Sequence, residues 1–192
     1  MSRGTSGTIW ETPVKIFGIG LARTGTASLN RALKMLGHSS RHFPRTYEEV
    51  LEHDCATDTS VTLGYRYLDF MFPEAKFVLT TRPVGDWLGS MRSLFAHLNA
   101  QGMADRYHRL HQVLYGTTVY DEARLRQAHR RHEAEVRAHF RSRPGSLLVM
   151  DLTAGDGFAQ LCPFLGAEPP GEPFPHRNDR SALLGSRPAF GT

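Results

Sequence analysis

Two cysteines in 192 residues, Cys55 and Cys162, are too few for a disulfide framework and too isolated for a zinc cluster. A reducing, cytoplasmic setting is therefore expected. No apolar run approaches the roughly 20 residues of a membrane helix, and Met1 to Pro13 has no apolar stretch behind a basic patch, so neither a membrane span nor a signal peptide is expected. Internal repeats and long low-complexity segments are missing. His108 and His111, or His129 and His132, could share a helix face, yet no HExxH pattern or carboxylate at ligand spacing accompanies them, and no metal site is expected.

Against these absences stands an ordinary globular composition, 40% hydrophobic and 22% charged. A chain of this length buries a real core, and one domain over residues 1–192 is the first expectation. The formal net charge of +4 favours an anionic partner, which a nucleotide satisfies as well as a nucleic acid does. Arginines crowd Arg124 to Arg143, where Glu133 and Glu135 among them suggest a solvated helix face laced with salt bridges.

Lys15 to Gly20 (KIFGIG) is a short apolar run ending in glycine, and Leu29, Ala32, Leu33 and Leu36 recur at helical spacing until Gly37. Short helices are predicted over Thr46–Glu52 and Leu63–Phe72, the second ended by Pro73. The β-rich Lys76–Thr81 (KFVLTT) leads through Arg82 and Pro83 into an amphipathic helix from about Val84 to Leu98. Helices over Ala104–Tyr115 and Asp121–Ser142 precede a third apolar run, Ser146–Met150, ended by Asp151, and a helix over Asp156–Leu165 follows. From Gly166 on, proline, glycine and arginine predict an irregular segment lying on the domain. Strands alternating with helices imply an α/β fold of the P-loop nucleotide-binding type: three layers, α/β/α, around a mostly parallel sheet, with ligands at the C-terminal strand ends. Gly20, Arg82 and Asp151 then share one functional edge, Asp151 as a loop anchor.

Gly18 to Ser28 (GIGLARTGTAS) occupies the turn between the first strand and the first helix. Four residues separate Gly20 from Gly25, so the loop can fold back and aim the backbone N–H groups of Thr24 to Ala27 at an anion on the helix N-terminus. A Walker loop, GxxxxGK[ST], would need lysine where Thr26 stands and a magnesium-binding hydroxyl where Ala27 stands. A magnesium nucleoside triphosphate thus loses both, and Arg23 supplies the loop's cation instead. A tight β–α turn without a ligand is the competing reading. Arg82 ends the Lys76–Thr81 strand and Ser90 lies eight residues on, so that an arginine fork and a hydroxyl can both reach one phosphate monoester. Two anion sites at adjacent strand ends suit a nucleoside phosphorylated at both ends. Trp87, Phe95 and Tyr107 suit core packing better than stacking on its base.

These elements together resemble the P-loop-fold sulfotransferases, of the small bacterial kind with an Arg-Thr-Gly-Thr loop, over about Lys15 to Asn178. The resemblance implies that Arg23, Thr24, Gly25, Thr26, Ala27 and Ser28 hold the 5′-phosphosulfate of 3′-phosphoadenosine 5′-phosphosulfate, and that Arg82 and Ser90 hold its 3′-phosphate. No metal is implied. Pro173 to Asn178 (PFPHRN) is similar to a C-terminal segment of these enzymes, with Arg177 its expected nucleotide contact. Two departures stand out: Arg23 replaces the loop lysine of the better-known cytosolic enzymes, and their C-terminal glycine-rich clamp is not recognisable. The implied reaction moves a sulfuryl group to a hydroxyl of a small molecule, with neither nucleic acid nor membrane as partner. In such enzymes a histidine or carboxylate a little over twenty residues before the 3′-phosphate arginine acts as base, and Asp58, twenty-four residues before Arg82, stands there. A turn or N-cap role is its alternative, with His53 and Asp54 as rival bases. Arg41 to Phe43, Tyr65 to Met71 and Phe95 to Tyr115 are expected around the bound hydroxyl compound. A nucleotide-dependent kinase and a catalytically silent nucleotide-binding protein are the other functions open to such a loop.

Overall fold

The computed structural model describes residues 14–176. Strands β1 (Ile16–Gly18), β2 (Ser40–His42), β3 (Cys55–Thr57), β4 (Lys76–Thr81) and β5 (Leu147–Asp151) form one sheet in the order β2-β3-β1-β4-β5, with every pairing parallel. Helices α1 (Thr26–Met35), α2 (Tyr47–Leu51), α3 (Thr59–Met71), α4 (Val84–Gln101), α5 (Asp105–Tyr115), α6 (Glu122–His139) and α7 (Phe158–Leu165) connect or follow the strands. The period of two sorts the strand side chains between two cores. Ile16, Cys55, Val78 and Met150 pack against Leu29 and Leu33 of α1 and Leu161 of α7. Phe17, Ala56, Phe77 and Leu79 pack against Val61 and Leu68 of α3 and Val136 of α6. Both sheet faces are therefore apolar and covered, as parallel pairing requires. The expected three-layer α/β/α architecture is the one observed.

Local signals did not reveal every element. β2 and β3 have three residues each, too few for a period of two to show, and their sequences, SRH and CAT, hold no β-branched run. Helix α3 starts at Thr59, four residues before the expected Leu63, because Asp58 accepts the Thr59 backbone N–H and caps it. The arginine-rich α6 has the expected ion pairs, Arg126 to Glu122 and Arg124 to Asp121. Its histidines, however, turn inward: His129 donates from Nε2 to the Arg82 carbonyl, and His132 from Nε2 to the Ile19 carbonyl.

Strand order places the site. The chain leaves β1 for β2 and β3 on one side and returns to β4 on the other, so the crevice at the C-terminal ends of β1 and β4 is the topological switch point. Gly20 lets the two ends close up, since a Cβ there would lie 2.0 Å from Thr80 Oγ1 and 2.6 Å from the Thr80 carbonyl. Part of that obstacle is β4 backbone, which cannot rotate away. Gly20→Ala is expected to destabilise the protein by about 1–3 kcal/mol, seen as a lower denaturant midpoint at unchanged slope.

Candidate functional site

The loop after β1 is built by short-range bonds and clamped by long-range ones. Thr24 donates its hydroxyl proton to the Leu21 carbonyl and sits 2.7 Å from the Thr80 hydroxyl, which ties the loop to β4. Trp87 Nε1 donates to the Ala22 carbonyl at 2.8 Å, and the Ala22 N–H donates to Tyr115 Oη at 3.3 Å. Gly25 takes φ 108 and opens α1, whose first turn has no acidic residue and no side-chain cap at Gly25. The start of α1 carries the positive end of the helix dipole, an arrangement that favours an anion.

The two arginines predicted for separate anion sites meet here. Arg23 Nε donates to Ser90 Oγ at 2.9 Å, across from α4, and Arg82 Nη1 makes a long 3.5 Å contact with the Arg23 carbonyl. Arg82 Nε is buried and finds no hydrogen-bond partner among the described residues. An unpaired buried donor carries a desolvation penalty, so such groups call for an explanation, and an anion that arrives later is one. Thr24 through Ser28, Arg23, Arg82 and Ser90 thus share one crevice, whereas Arg177 lies outside the described residues.

Asp58 stands at the C-terminal end of β3, on the same sheet edge as the loop and Arg82. Its Oδ1 accepts from the Thr59 N–H and hydroxyl, so it is the cap that one sequence reading expected. Its Oδ2 lies 3.2 Å from His42 Nε2, and His42 Nδ1 lies 2.9 Å from Thr57 Oγ1. The carboxylate therefore has a second face, turned to the His42 imidazole. His53 and Asp54 precede β3 at the opposite edge: His53 pairs through Nδ1 with the Glu49 carbonyl, Asp54 accepts from Ser39, and the Asp54 carbonyl receives the Ile16 N–H at the start of β1. A three-residue strand spans about 10 Å, which removes both rivals from the crevice. Asp151 is the anchor it was expected to be, accepting from the backbone of Thr153 and Ala154.

Backbone strain marks the same edge. The non-glycine residues with positive φ among those described are Arg23 (71°), Phe43 (55°) and Asp58 (89°), in the segments that follow β1, β2 and β3. Strain of this kind persists where the surroundings enforce it and collects at functional sites. Reasoning from the sequence missed His42 as the partner of Asp58 and the two α6 histidines as props for the strand ends. The signal it had, the histidine count, does not say which imidazoles turn inward.

His111 of α5 is buried among the rings of Phe95 and Tyr115, 5.2 and 5.3 Å away, and its Nδ1 has no partner among the described residues. Burial lowers its pKa from 6.5 to about 4, against the pull of the nearby Asp58 carboxylate. Because the folded value lies below that of the free imidazole, the unfolded chain binds the proton more readily in that interval. Stability should therefore fall as pH drops from about 6.5 towards 4, by about 1–3 kcal/mol. A melting series over pH 7 to 4 should show this fall flattened in His111→Leu.

Comparison with known proteins bears on the family and the fold. A family model described as "Sulfotransferase domain" matches residues 15–53 and 44–183. The Ava biosynthesis cluster protein M of Aspergillus versicolor is 30% identical over 110 residues, with 42% of this chain and 42% of that protein covered. The chain thus spans about two fifths of that relative's length. The crystal structure of a sulfotransferase from Alicyclobacillus acidocaldarius aligns over 84% of each chain with a TM-score of 0.55 at 15% identity, a likeness of fold. With the family match running through the loop, both arginines and Asp58, the chain belongs to the sulfotransferase domain family.

Proposed function

We propose that this sulfotransferase uses 3′-phosphoadenosine 5′-phosphosulfate to sulfate a hydroxyl group of a small molecule, in the cytoplasm and without a metal. The observation that carries the reading is the meeting of Arg23 and Arg82 at the switch point, with Arg82 Nε buried and unpartnered among the described residues. The donor fits what is present: the first turn of α1 behind Gly25 suits the 5′-phosphosulfate, and the Arg82 guanidinium, beside the Arg23 carbonyl with its Nε unpartnered among the described residues, suits a 3′-phosphate monoester, while Ser90 is bonded to Arg23. Thr26 and Ala27, in place of the Walker lysine and hydroxyl, give a magnesium triphosphate little hold.

Chemistry follows from the groups around that donor. The substrate oxygen bonds to sulfur, the bond from sulfur to the 5′-phosphate oxygen breaks with its electron pair left on adenosine 3′,5′-bisphosphate, and the hydroxyl proton passes to Asp58. His42 holds the carboxylate from the side, Thr59 holds it from below, and Arg23 with the loop N–H groups faces the charge left on the departing nucleotide.

A thermal-shift comparison tests the reading. Adenosine 3′,5′-bisphosphate at 100 times its dissociation constant should add about 2.7 kcal/mol without metal, whereas stabilisation by magnesium ATP instead would sink it in favour of a kinase. Arg82→Ala should weaken the bisphosphate about ten- to hundredfold and adenosine 5′-phosphate much less, since a charged hydrogen bond to the 3′-phosphate is lost. Equal losses for the two ligands would place Arg82 elsewhere.

A further inference from the structure

Three buried rings from three helices, Trp87 of α4, Tyr115 of α5 and His129 of α6, pack in a row. The indole lies in the middle, its centroid 4.9 Å from the imidazole and 6.1 Å from the phenol. Each ring carries a polar atom that ends on main chain beside one of the two arginines of the crevice. Tyr115 Oη accepts the Ala22 N–H at 3.3 Å, and Trp87 Nε1 donates to the Ala22 carbonyl at 2.8 Å. The peptide planes on both sides of the Ala22 Cα are thereby held, and the second is the plane from which Arg23 takes its positive φ of 71°. His129 Nε2 donates to the Arg82 carbonyl at 3.1 Å, where β4 gives way to α4. Packing accounts for large side chains here, but leucine and phenylalanine would fill the same volume. It does not account for three polar atoms that converge on two short stretches of backbone.

We propose that Trp87, Tyr115 and His129 are positioning residues for the donor site: one block of rings that fixes the spacing of Arg23 and Arg82, so that a nucleotide phosphorylated at both ends meets both guanidinium groups without rearrangement. The proposal rests on the sulfotransferase reading above and names residues that serve that site from beneath it. A residue with a Cβ stays in the left-handed region only while its surroundings enforce it. Release of either peptide plane at Ala22 lets Arg23 relax to ordinary φ in a share of the molecules, and ligand affinity falls by that share. His129 acts in the same way on Arg82, through the carbonyl that starts α4. Because Trp87 packs against both other rings, the two arginines are set by one cluster rather than by two separate supports. Such preorganisation spares the ligand the cost of ordering the loop.

The experiment measures, by calorimetry on the full chain, the binding of adenosine 3′,5′-bisphosphate, whose 5′-phosphate carries in full the charge that Arg23 faces. Tyr115→Phe, which keeps the ring and loses the oxygen, should weaken binding about tenfold, the scale of one buried hydrogen bond left unmade. Placed on Arg23→Gly, the same change should cost under about twofold, because glycine takes the loop conformation freely and no guanidinium remains to be placed. His129→Leu should likewise lose about tenfold in the wild type and under about twofold on Arg82→Ala. His129→Gln, whose amide can still donate to the Arg82 carbonyl, should recover most of that loss. Losses that carry over in full to the arginine variants make the rings core residues and overturn the proposal while bisphosphate binding by the wild type stands. Unchanged affinity in Tyr115→Phe and His129→Leu does the same, as does a His129→Gln that melts like the wild type yet binds like His129→Leu. Absent bisphosphate binding in the wild type overturns the donor assignment and takes the proposal with it.

Discussion

Asp58→Asn is expected to lower turnover about 10²- to 10⁴-fold, the range over which a positioned general base acts, while affinity for adenosine 3′,5′-bisphosphate and the melting temperature stay close to wild type. The amide keeps the two structural bonds, since its carbonyl oxygen can still accept from the Thr59 N–H and hydroxyl and hold the start of α3. What it loses is the ability to take a proton. The bond towards His42, 3.2 Å away in the wild type, survives only if the imidazole presents the matching tautomer. His42→Ala serves as the companion variant: a smaller loss of turnover, with the pH profile displaced, would mark His42 as a positioning residue acting through Asp58. Normal turnover in Asp58→Asn removes the carboxylate from the chemistry and leaves it as a helix cap.

Arg23→Ala should lower turnover about 10²- to 10³-fold, the usual effect of deleting one preorganised donor to a developing charge. The donor's apparent affinity should change less, because the negative charge that grows on the bridging oxygen is fully present only as the sulfur–oxygen bond breaks. Backbone conformation offers a control. Arg23 holds φ at 71°, where glycine is at ease and alanine is not, so Arg23→Gly should be the more stable of the two variants and still lack the charge. Equal turnover losses in both, despite different stabilities, would assign the effect to the guanidinium rather than to a distorted loop. A change confined to donor affinity would make Arg23 a binding residue and pass the leaving-group role to Thr26 or the loop backbone.

Legibility divided along chain distance. The glycine loop after β1 could be read because strand, Gly20, Gly25 and helix follow directly in the chain, and the absence of the Walker lysine is visible at Thr26. Arg82 at the end of a β-rich run, with Ser90 eight residues on, is visible in the chain, but the structure bonds Ser90 to Arg23 rather than to Arg82. That pairing, across 67 residues, was not visible. Neither was the reach of His132 to Ile19 across 113 residues, which props the end of β1 from behind. The choice among Asp58, His53 and Asp54 was equally hidden, because three candidates within six residues look alike until the direction of β3 puts two of them at the far edge.

The sequence by itself determined the α/β class, the glycine loop between the first strand and the first helix, and a basic residue at the end of β4. Each of these rests on signals carried by residues within one helical turn or one strand of each other, where backbone preference and periodicity act directly. Only the tertiary structure decided that β1 lies between β3 and β4, that Arg23 and Arg82 therefore converge, that Asp58 meets His42, and that the imidazole of His111 is sealed among rings with an unused nitrogen among the described residues. The physical reason is that strand order is set by how both faces of the sheet are buried at once, a property of all the elements together that no single stretch of chain encodes.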